Sequence, residues 1–586
     1  MLKILKYMRR RDWLLALCSV GFVVCGVWLD LKMPDYMREI TTLVQTPGSE
    51  MSDVLRAGGF MLLCALGSLV STFIVGFFAA QIAAGLAMRL REAVYNKTMD
   101  FSMEEIGRFS TASLITRTTN DIQQIQMLVS MGLQAMVKAP VLAVWAILKI
   151  AGKSWQWTAI TGGAVAVLSL MLGVVICMVL PKFKRMQTLT DNVNRVMREH
   201  LTGLRVVRAC NAEEYQEKKF DAANRELTDT SLFTSRLMSI LFPGMSLIMS
   251  GLTLSIYWAG AYIINSARMA QRLEIFSDMV VFSSYAMQII MAFMMLVMTF
   301  IMLPRAMVSA RRINEVLDTK PAVADGEITE PPGLIKGEIE FKNVSFCYPG
   351  GAGPVLEDIS FTAKKGETVA FIGSTGSGKS TLVNLIPRFF DATKGEVLVD
   401  GVNVRDYAQE ALRNKLGYVS QRAVMFSGTV ESNVAYGDNG RGQDPEMLWS
   451  ALVTAQASDF VEGLQKGVEA PVSQGGANLS GGQKQRLCIA RAICRRPEVF
   501  IFDDSFSALD YKTDRMLRSA LKAETSGTTT LIVAQRIGTI LHADKIIVLD
   551  NGRIVGQGSH KDLLKACPVY REIAGSQLTK EELENA

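Results

Sequence analysis

Six long apolar runs dominate the first half of the chain: Trp13–Leu31, Ala57–Ala87, Met131–Ala151, Trp157–Leu180, Leu237–Ile264 and Met279–Pro304. A bilayer span needs about 20 apolar residues. Inside hydrocarbon every backbone N–H and C=O must be satisfied within the chain, so runs of this kind are restricted to helices. The second run holds no charged residue, and as a helix it would be about 46 Å long at the α-helical rise. That exceeds a hydrocarbon core of roughly 30 Å, so the helices are expected to project out of the membrane. Apolar residues make up 49% of the 586-residue chain, high for a soluble protein. They crowd before about residue 305, beyond which the sequence reads as a soluble α/β domain. At least two domains are therefore expected.

Lys3, Lys6, Arg9, Arg10 and Arg11 precede the first run and place the N-terminus in the cytosol. No small-residue cleavage site follows that run, so an uncleaved first helix is expected rather than a signal peptide. Lys182, Lys184 and Arg185, then Arg305, Arg311 and Arg312, agree with an even number of crossings, while Arg268 and Arg272 fall in an outer loop and blur the pattern. Two polar connections, about Met88–Ser130 and Pro181–Arg236, lie on the cytosolic side and are too long for turns. Asp30, Lys32, Asp35, Lys138 and Lys149 lie within or near the apolar runs and are functional candidates by position, or else snorkel to an interface. Met287, Met291, Met294, Met295, Met298 and Met302 form a stripe along the sixth run. Methionine suits a surface that accepts ligands of varied shape, and equally suits bundle packing or lipid contact. The nine cysteines show no CxxC pair and read as free buried thiols. A net charge of +6 is too modest to argue for nucleic-acid binding.

The second half begins after the linker Glu330-P-P-G. The stretch E-T-V-A-F-I-G-S-T-G-S-G-K-S-T runs from a strand through a glycine-rich loop into a helix. Gly373, Gly378, Lys379 and Ser380 fit G-x-x-x-x-G-K-[ST], with Ser374, Thr375, Gly376 and Ser377 inside the loop and Thr381 just after it. Glycines let backbone N–H groups wrap a phosphate, and the helix start adds positive potential. Lys379 would reach the β/γ-phosphates of a nucleotide and the Ser380 hydroxyl would bind Mg2+. Further on, Val499, Phe500, Ile501 and Phe502 read as a buried parallel strand. It ends in Asp503 and Asp504, and a carboxylate there is placed to hold Mg2+. The pairing of this loop with this strand defines a phosphate-binding-loop ATPase or GTPase. Between them, Leu479, Ser480, Gly481, Gly482 and Gln483 open a helix and offer a second anion cradle. A second cradle that far along the chain suggests a composite site completed by a second copy of the domain.

The L-S-G-G-Q stretch resembles the signature of ATP-binding cassette (ABC) proteins. With six apolar runs ahead of it, the whole chain resembles an ABC exporter half-transporter: an α-helical polytopic membrane domain fused to an α/β P-loop cassette. The resemblance implies 1–319 as the membrane domain with coupling helices, 320–336 as linker, 337–575 as cassette and 576–586 as a polar tail. It implies ATP and Mg2+ as cofactors and a dimer closing head to tail, each site joining one chain's phosphate loop to the other's signature. Tyr348 would stack on adenine, and Gln421 would sense Mg2+ together with Ser380 and Asp503. Ser507, Ala508, Leu509 and Asp510 would form the D-loop facing the opposite site. Ser113–Ile122 and Asn211–Phe220 would lie near the two coupling helices.

Three positions depart from the family pattern. Asp504 stands where most active members carry a glutamate, and its carboxylate is withdrawn by about 1.5 Å, one C–C bond. Gln535 stands at the switch-histidine position, and Gln474 where exporters usually have glutamate. Two changes on one side of one ATP site, beside an intact loop and signature, resemble the degenerate-site half of a heterodimeric exporter. The implied partner is a second half-transporter carrying the glutamate and histidine. The implied cargo is hydrophobic or amphipathic, with a lipid or lipid-linked flippase, or an ATP-gated channel or regulatory subunit, as alternatives. No organelle-targeting signature is evident, which points to a bacterial plasma membrane.

Overall fold

The six apolar runs, apart from Ala151 at the end of the third, fall within helices long and apolar enough to cross a membrane: Arg10–Val44, Met51–Met99, Thr111–Ile150, Trp155–Thr202, Glu213–Ser266 and Arg272–Asp318. The computed structural model describes residues 2–46, 49–150, 154–330, 336–351, 353–437, 444–524 and 527–578. Ala151, residues 331–335 of the linker and residues 579–586 of the tail lie outside them. The second helix is continuous over 49 residues, about 74 Å at the α-helical rise, so it outruns any hydrocarbon core. By its internal contacts the chain forms two units. One comprises Met1–Lys97 and Ala112–Asp318, the other Thr98–Thr111 and Thr319–Ala586.

In the membrane unit, Val27, Leu142, Leu168, Ile256 and Phe282, from five different helices, share one core. Four charged residues among these helices form two ion pairs. Lys138 Nζ lies 3.2 Å from Asp30 Oδ2, and the Ser68 hydroxyl of the second helix donates to the same carboxylate. Lys149 Nζ donates to Asp35 Oδ2 at 2.7 Å. The buried Tyr285 hydroxyl lies 2.6 Å from Asp35 Oδ1 and 3.0 Å from the Leu31 carbonyl. Lys32 sits over the Trp28 ring, 5.8 Å from its centroid. A carboxylate in apolar surroundings is costly unless paired and hydrogen-bonded, and these pairs join the first helix to the second, third and sixth.

At the other end of the unit, Ser113–Ile122 runs through a π-helical turn, Arg117–Asp121, into the third membrane helix. Arg117 donates to Glu315 Oε2 and to the Arg312 carbonyl, both at 2.8 Å, and Ser309 donates to Asp121 at 2.9 Å. This segment is thus bolted to the sixth helix. The second cytosolic connection turns at Asn211, with φ of 50°, before the helix Glu213–Ser239. All nine cysteines are free, but the expectation of burial fails for most: only Cys488 and Cys567 are buried, and Cys18, Cys25, Cys177 and Cys210 are exposed.

The cassette is built on three sheets. Strands β1 (Ile339–Phe346), β2 (Leu356–Ala363), β4 (Lys394–Val399) and β5 (Val402–Asn403) form an antiparallel sheet in the order β2-β1-β4-β5. The main sheet takes β3 (Thr368–Gly373), β6 (Leu416–Val419), β9 (Val499–Asp503), β10 (Thr529–Val533), β11 (Lys545–Asp550) and β12 (Arg553–Gly558) in the order β12-β11-β3-β10-β9-β6. All of its neighbours are parallel except β12 against β11. A short pair, β7 (Gly428–Thr429) and β8 (Pro471–Val472), completes the domain. Every residue of β9 and β10 is buried, as expected of a parallel sheet covered on both faces. The carboxyl ends of β3, β6, β9 and β10 therefore emerge side by side.

The Lys149–Asp35 pair gives a test. Lys149→Met removes the direct ion pair and leaves the Asp35 charge with the Tyr285 hydroxyl and the Lys32 ammonium, and should cost about 1–2 kcal/mol of stability. In detergent, the melting temperature of Lys149→Met should fall, and that of Asp35→Asn/Lys149→Met should recover most of the loss.

Candidate functional site

The loop after β3 is shaped by backbone constraints that only glycine meets. A Cβ on Gly373 would lie 2.0 Å from the Leu549 carbonyl oxygen. Gly378, at φ of 95°, would push a Cβ to within 2.7 Å of Leu356 Cδ2, and left-handed backbone is unfavourable for any other residue. Gly378 then caps the helix Lys379–Leu385. Lys379 is buried and folds back over the loop, donating to the Gly373 carbonyl at 2.8 Å and the Ser374 carbonyl at 2.7 Å, with Ser377 Oγ at 3.3 Å. Burial depresses its ammonium pKa against the opposing pull of Asp504 and Asp503.

Ser380 donates to Asp503 Oδ1 at 2.8 Å. A hydroxyl and a buried carboxylate side by side, beside a loop of backbone N–H groups, form an all-oxygen donor set of the kind a hard divalent cation takes. Burial raises the pKa of Asp503, with Ser380 and Lys379 opposing and Asp504 reinforcing the rise. Asp504 sits at φ of 48°, its amide donating to the Val533 carbonyl at 3.0 Å. Its Oδ2 accepts from Gln535 Nε2 at 2.7 Å and from Gln421 Nε2 at 3.2 Å. Burial raises its pKa too, opposed by Gln421, Lys379, Gln535 and Arg536. The three residues come from the ends of β6, β9 and β10, and Gln421 turns to Asp504 rather than to Asp503.

Tyr348 packs edge-on against Phe346 and Phe390, at 4.9 Å and 5.3 Å between centroids, and its hydroxyl lies 3.1 Å from Thr381 Oγ1. The two phenylalanines were not singled out in the sequence; Phe346 stands two residues before Tyr348 at the end of β1, which was the available signal. Ser505 was missed as well. It is wholly buried and donates to the Val419 carbonyl at 3.0 Å, tying the stem of the Gln421 loop to β9.

Ser480 caps the helix Gly481–Cys494 through a reciprocal pair with Gln483, at 3.3 Å and 2.8 Å. Leu479 is buried beneath it. Ala508 and Leu509 lie over Gly482, where a Cβ would find the Ala508 carbonyl at 3.5 Å. Ser507 donates to the Asp504 carbonyl at 2.9 Å, and Asp510 accepts from the Thr513 amide at 2.9 Å. That amide bond is the first cause of the lowered Asp510 pKa. Among the described residues no hydrogen bond joins 479–483 to 373–381. Gln474 is exposed in a short 3-10 turn. On the sixth membrane helix, Met291 is exposed and Met287, Met294, Met295 and Met302 are half-buried. Their helix buries Phe282, Tyr285 and Ile289 instead. The side chain of Met298 lies outside the described ones.

A six-helix membrane unit joined on one chain to a P-loop nucleotide domain defines a membrane-bound, nucleotide-driven machine. Residues 356–507 match the ABC transporter family and residues 12–304 match the ABC transporter transmembrane region. The chain is 41% identical over 527 residues to an uncharacterized ABC transporter ATP-binding protein of Mycobacterium tuberculosis (strain ATCC 25618 / H37Rv), covering 89% of this chain and 88% of that one. It is 35% identical over 525 residues to the uncharacterized ABC transporter ATP-binding protein YfiB of Bacillus subtilis (strain 168), covering 89% and 90%. It is 32% identical over 504 residues to an ATP-dependent lipid A-core flippase of Pseudomonas aeruginosa, covering 86% and 82%. Its fold matches that of a bacterial Atm1-family ABC exporter with ATP bound, at a TM-score of 0.80 and 24% identity, over 97% of this chain and all of that one.

The chain belongs to the ABC transporter family. It is an ABC half-transporter with the fold of an ABC exporter, a multi-pass membrane protein with a cytosolic ATPase cassette.

Replacing Gly378 with alanine forces a left-handed backbone on a β-carbon-bearing residue, at a cost of about 1–3 kcal/mol. Nucleotide affinity should fall roughly tenfold to a hundredfold, measured by equilibrium binding of a fluorescent ATP analogue to the purified protein.

Proposed function

We propose that this chain is the hydrolysis-impaired half of a heterodimeric exporter of hydrophobic or amphipathic compounds in a bacterial plasma membrane. In this reading 1–319 is the membrane domain, 320–336 the linker, 337–575 the cassette and 576–586 a tail. Its own loop, Gly373–Thr381, holds ATP, with Lys379 released from its loop carbonyls to meet the β/γ-phosphates and Tyr348 stacked on adenine. Ser380, Asp503 and Gln421 would hold Mg2+, which neutralises phosphate charge. Leu479–Gln483 completes the partner's site, and Ser507–Asp510 faces it. The observation that carries the reading is at Asp504. Gln535 and Gln421 both donate to one oxygen of a carboxylate already shorter than glutamate by about one C–C bond. An oxygen holding two amide donors is a poor acceptor for the proton of an attacking water, and Gln535 supplies no positive charge to a phosphate.

The type of cargo has a second candidate. Relatives 31–32% identical are named ATP-dependent lipid A-core flippases, which favours a lipid-linked amphiphile as the alternative. The methionine stripe, exposed at Met291, suits either. Stimulation of ATP hydrolysis by lipid rather than by small amphipathic drugs would select the flippase reading.

ATP hydrolysis tests the division of labour. The purified chain alone should turn over slowly, and the complex with its partner should be brisk. A positioned general base contributes about 10²–10⁴-fold, so Asp504→Glu/Gln535→His should raise hydrolysis by the chain alone by at least the lower figure. Brisk turnover by the unaltered chain as a homodimer would sink the reading.

A further inference from the structure

The connection between the second and third membrane helices holds a short helix, Met103–Phe109, that groups with the cassette unit and not with the membrane unit. Its cap is Ser102, and the cap residue's partner is Glu105, whose Oε2 accepts from the Ser102 amide at 2.9 Å and the Ser102 hydroxyl at 2.6 Å. That would satisfy an ordinary capping box. Glu105 does more. It is only 5% exposed, and its second oxygen, Oε1, accepts from the backbone amide of Ala322 at 2.9 Å, 217 residues away.

Ala322 lies four residues beyond the end of the sixth membrane helix at Asp318. The chain then runs alongside residues 406–408 of the cassette through a single β-bridge. Ile328 pairs in parallel with Tyr407. Gly326 donates to the Tyr407 carbonyl at 3.1 Å, Ile328 to the Asp406 carbonyl at 2.9 Å, and Ala408 to the Ile328 carbonyl at 2.8 Å. The Asp325 carboxylate accepts from the Gln409 amide at 2.7 Å. A Cβ on Gly326 would lie 2.4 Å from the Asp406 carbonyl, so the backbones are pressed together. The connection to the cassette, expected as a linker over 320–336, is therefore fastened at both ends of residues 322–328.

We propose that residues 319–329 form a strap that carries cassette movement into the second and third membrane helices of the same chain, with Glu105 as its positioning residue. One carboxylate fixes both the start of the Met103–Phe109 helix and the strap. The second membrane helix reaches that point through three residues after Met99, and the sixth enters the strap directly. A hydrogen bond to a buried carboxylate is among the stronger ones, and leaving the oxygen unpaired is penalised. The two ends move together for that reason. The inference rests on family membership and on these bonds, and is independent of whether the ATP site of this chain hydrolyses.

Hydrogen–deuterium exchange on the full transporter in lipid nanodiscs, with and without ATP plus orthovanadate, tests it. In the unaltered protein the amides of 322–328 should be protected, and residues 51–60, at the far end of the second helix, should change their exchange when nucleotide is added. Glu105→Ala should speed exchange of the 319–329 peptide about tenfold or more and abolish the nucleotide-dependent change at 51–60. ATP hydrolysis and the melting temperature should stay within about twofold and a few degrees. Glu105→Gln keeps a carbonyl oxygen for the Ala322 amide and should restore the change at 51–60. Asp325→Ala, which frees the other end of the strap, should reduce that change without touching the helix cap. The proposal is overturned if Glu105→Ala loosens the strap yet leaves the nucleotide response at 51–60 intact, or if the strap stays protected without Glu105.

Discussion

Because β3, β6, β9 and β10 run parallel and are buried on both faces, their carboxyl ends must open on the same side of one sheet. That constraint decides where the glycine loop, the paired aspartates and the two glutamines stand. The glycine loop leaves β3, Gln421 follows β6, Asp503 and Asp504 end β9, and Gln535 follows β10. The four strand ends are far apart in sequence, and the parallel order brings them side by side. The same burial that fixes the strands desolvates the acids, which is why Asp503 and Asp504 hold protons more readily than ordinary carboxylates. Ser380 and the two glutamine amides act against that desolvation.

The membrane unit solves a related problem by pairing. Asp30 and Asp35 stand on one helix five residues apart, and Lys138 and Lys149 on another, so the two pairs sit at different depths along the same helix–helix seam. Ser68 and Tyr285 add hydrogen bonds from two further helices. In both units a carboxylate is kept inside by donors brought from distant parts of the chain.

That distance separates what could be read in the sequence from what could not. The loop Gly373–Ser380, the strand Val499–Phe502, the L-S-G-G-Q stretch and the six apolar runs are local patterns, and all of them are where their spacing put them. The alternation and glycine signals carry their own geometry. Lys149 with Asp35, Glu105 with Ala322 and Gln421 with Asp504 are pairings over long separations, and side-chain type alone does not select a partner. Gln421 shows the difference well: its presence was legible, its choice of Asp504 over Asp503 was not. Glu105 was invisible for another reason. In sequence it completes an ordinary helix cap, and only the fold shows that its second oxygen is used elsewhere.

The two departures around Asp504 are also not independent of each other. A glutamate would extend its carboxylate by about 1.5 Å, enough to crowd the Gln535 Nε2 that now sits 2.7 Å from Asp504, and a histidine there would add a donor that can carry charge. With glutamine, the site keeps two carboxylates, and the cations acting on Asp504 are Lys379 and Arg536. Changing one position alone would therefore leave either an extended carboxylate crowding an amide, or a histidine facing a short acid. Groups in direct contact are coupled rather than additive. The pair Asp504–Gln535 is one structural unit, and its hydrogen bond ties the carboxyl end of β9 to that of β10.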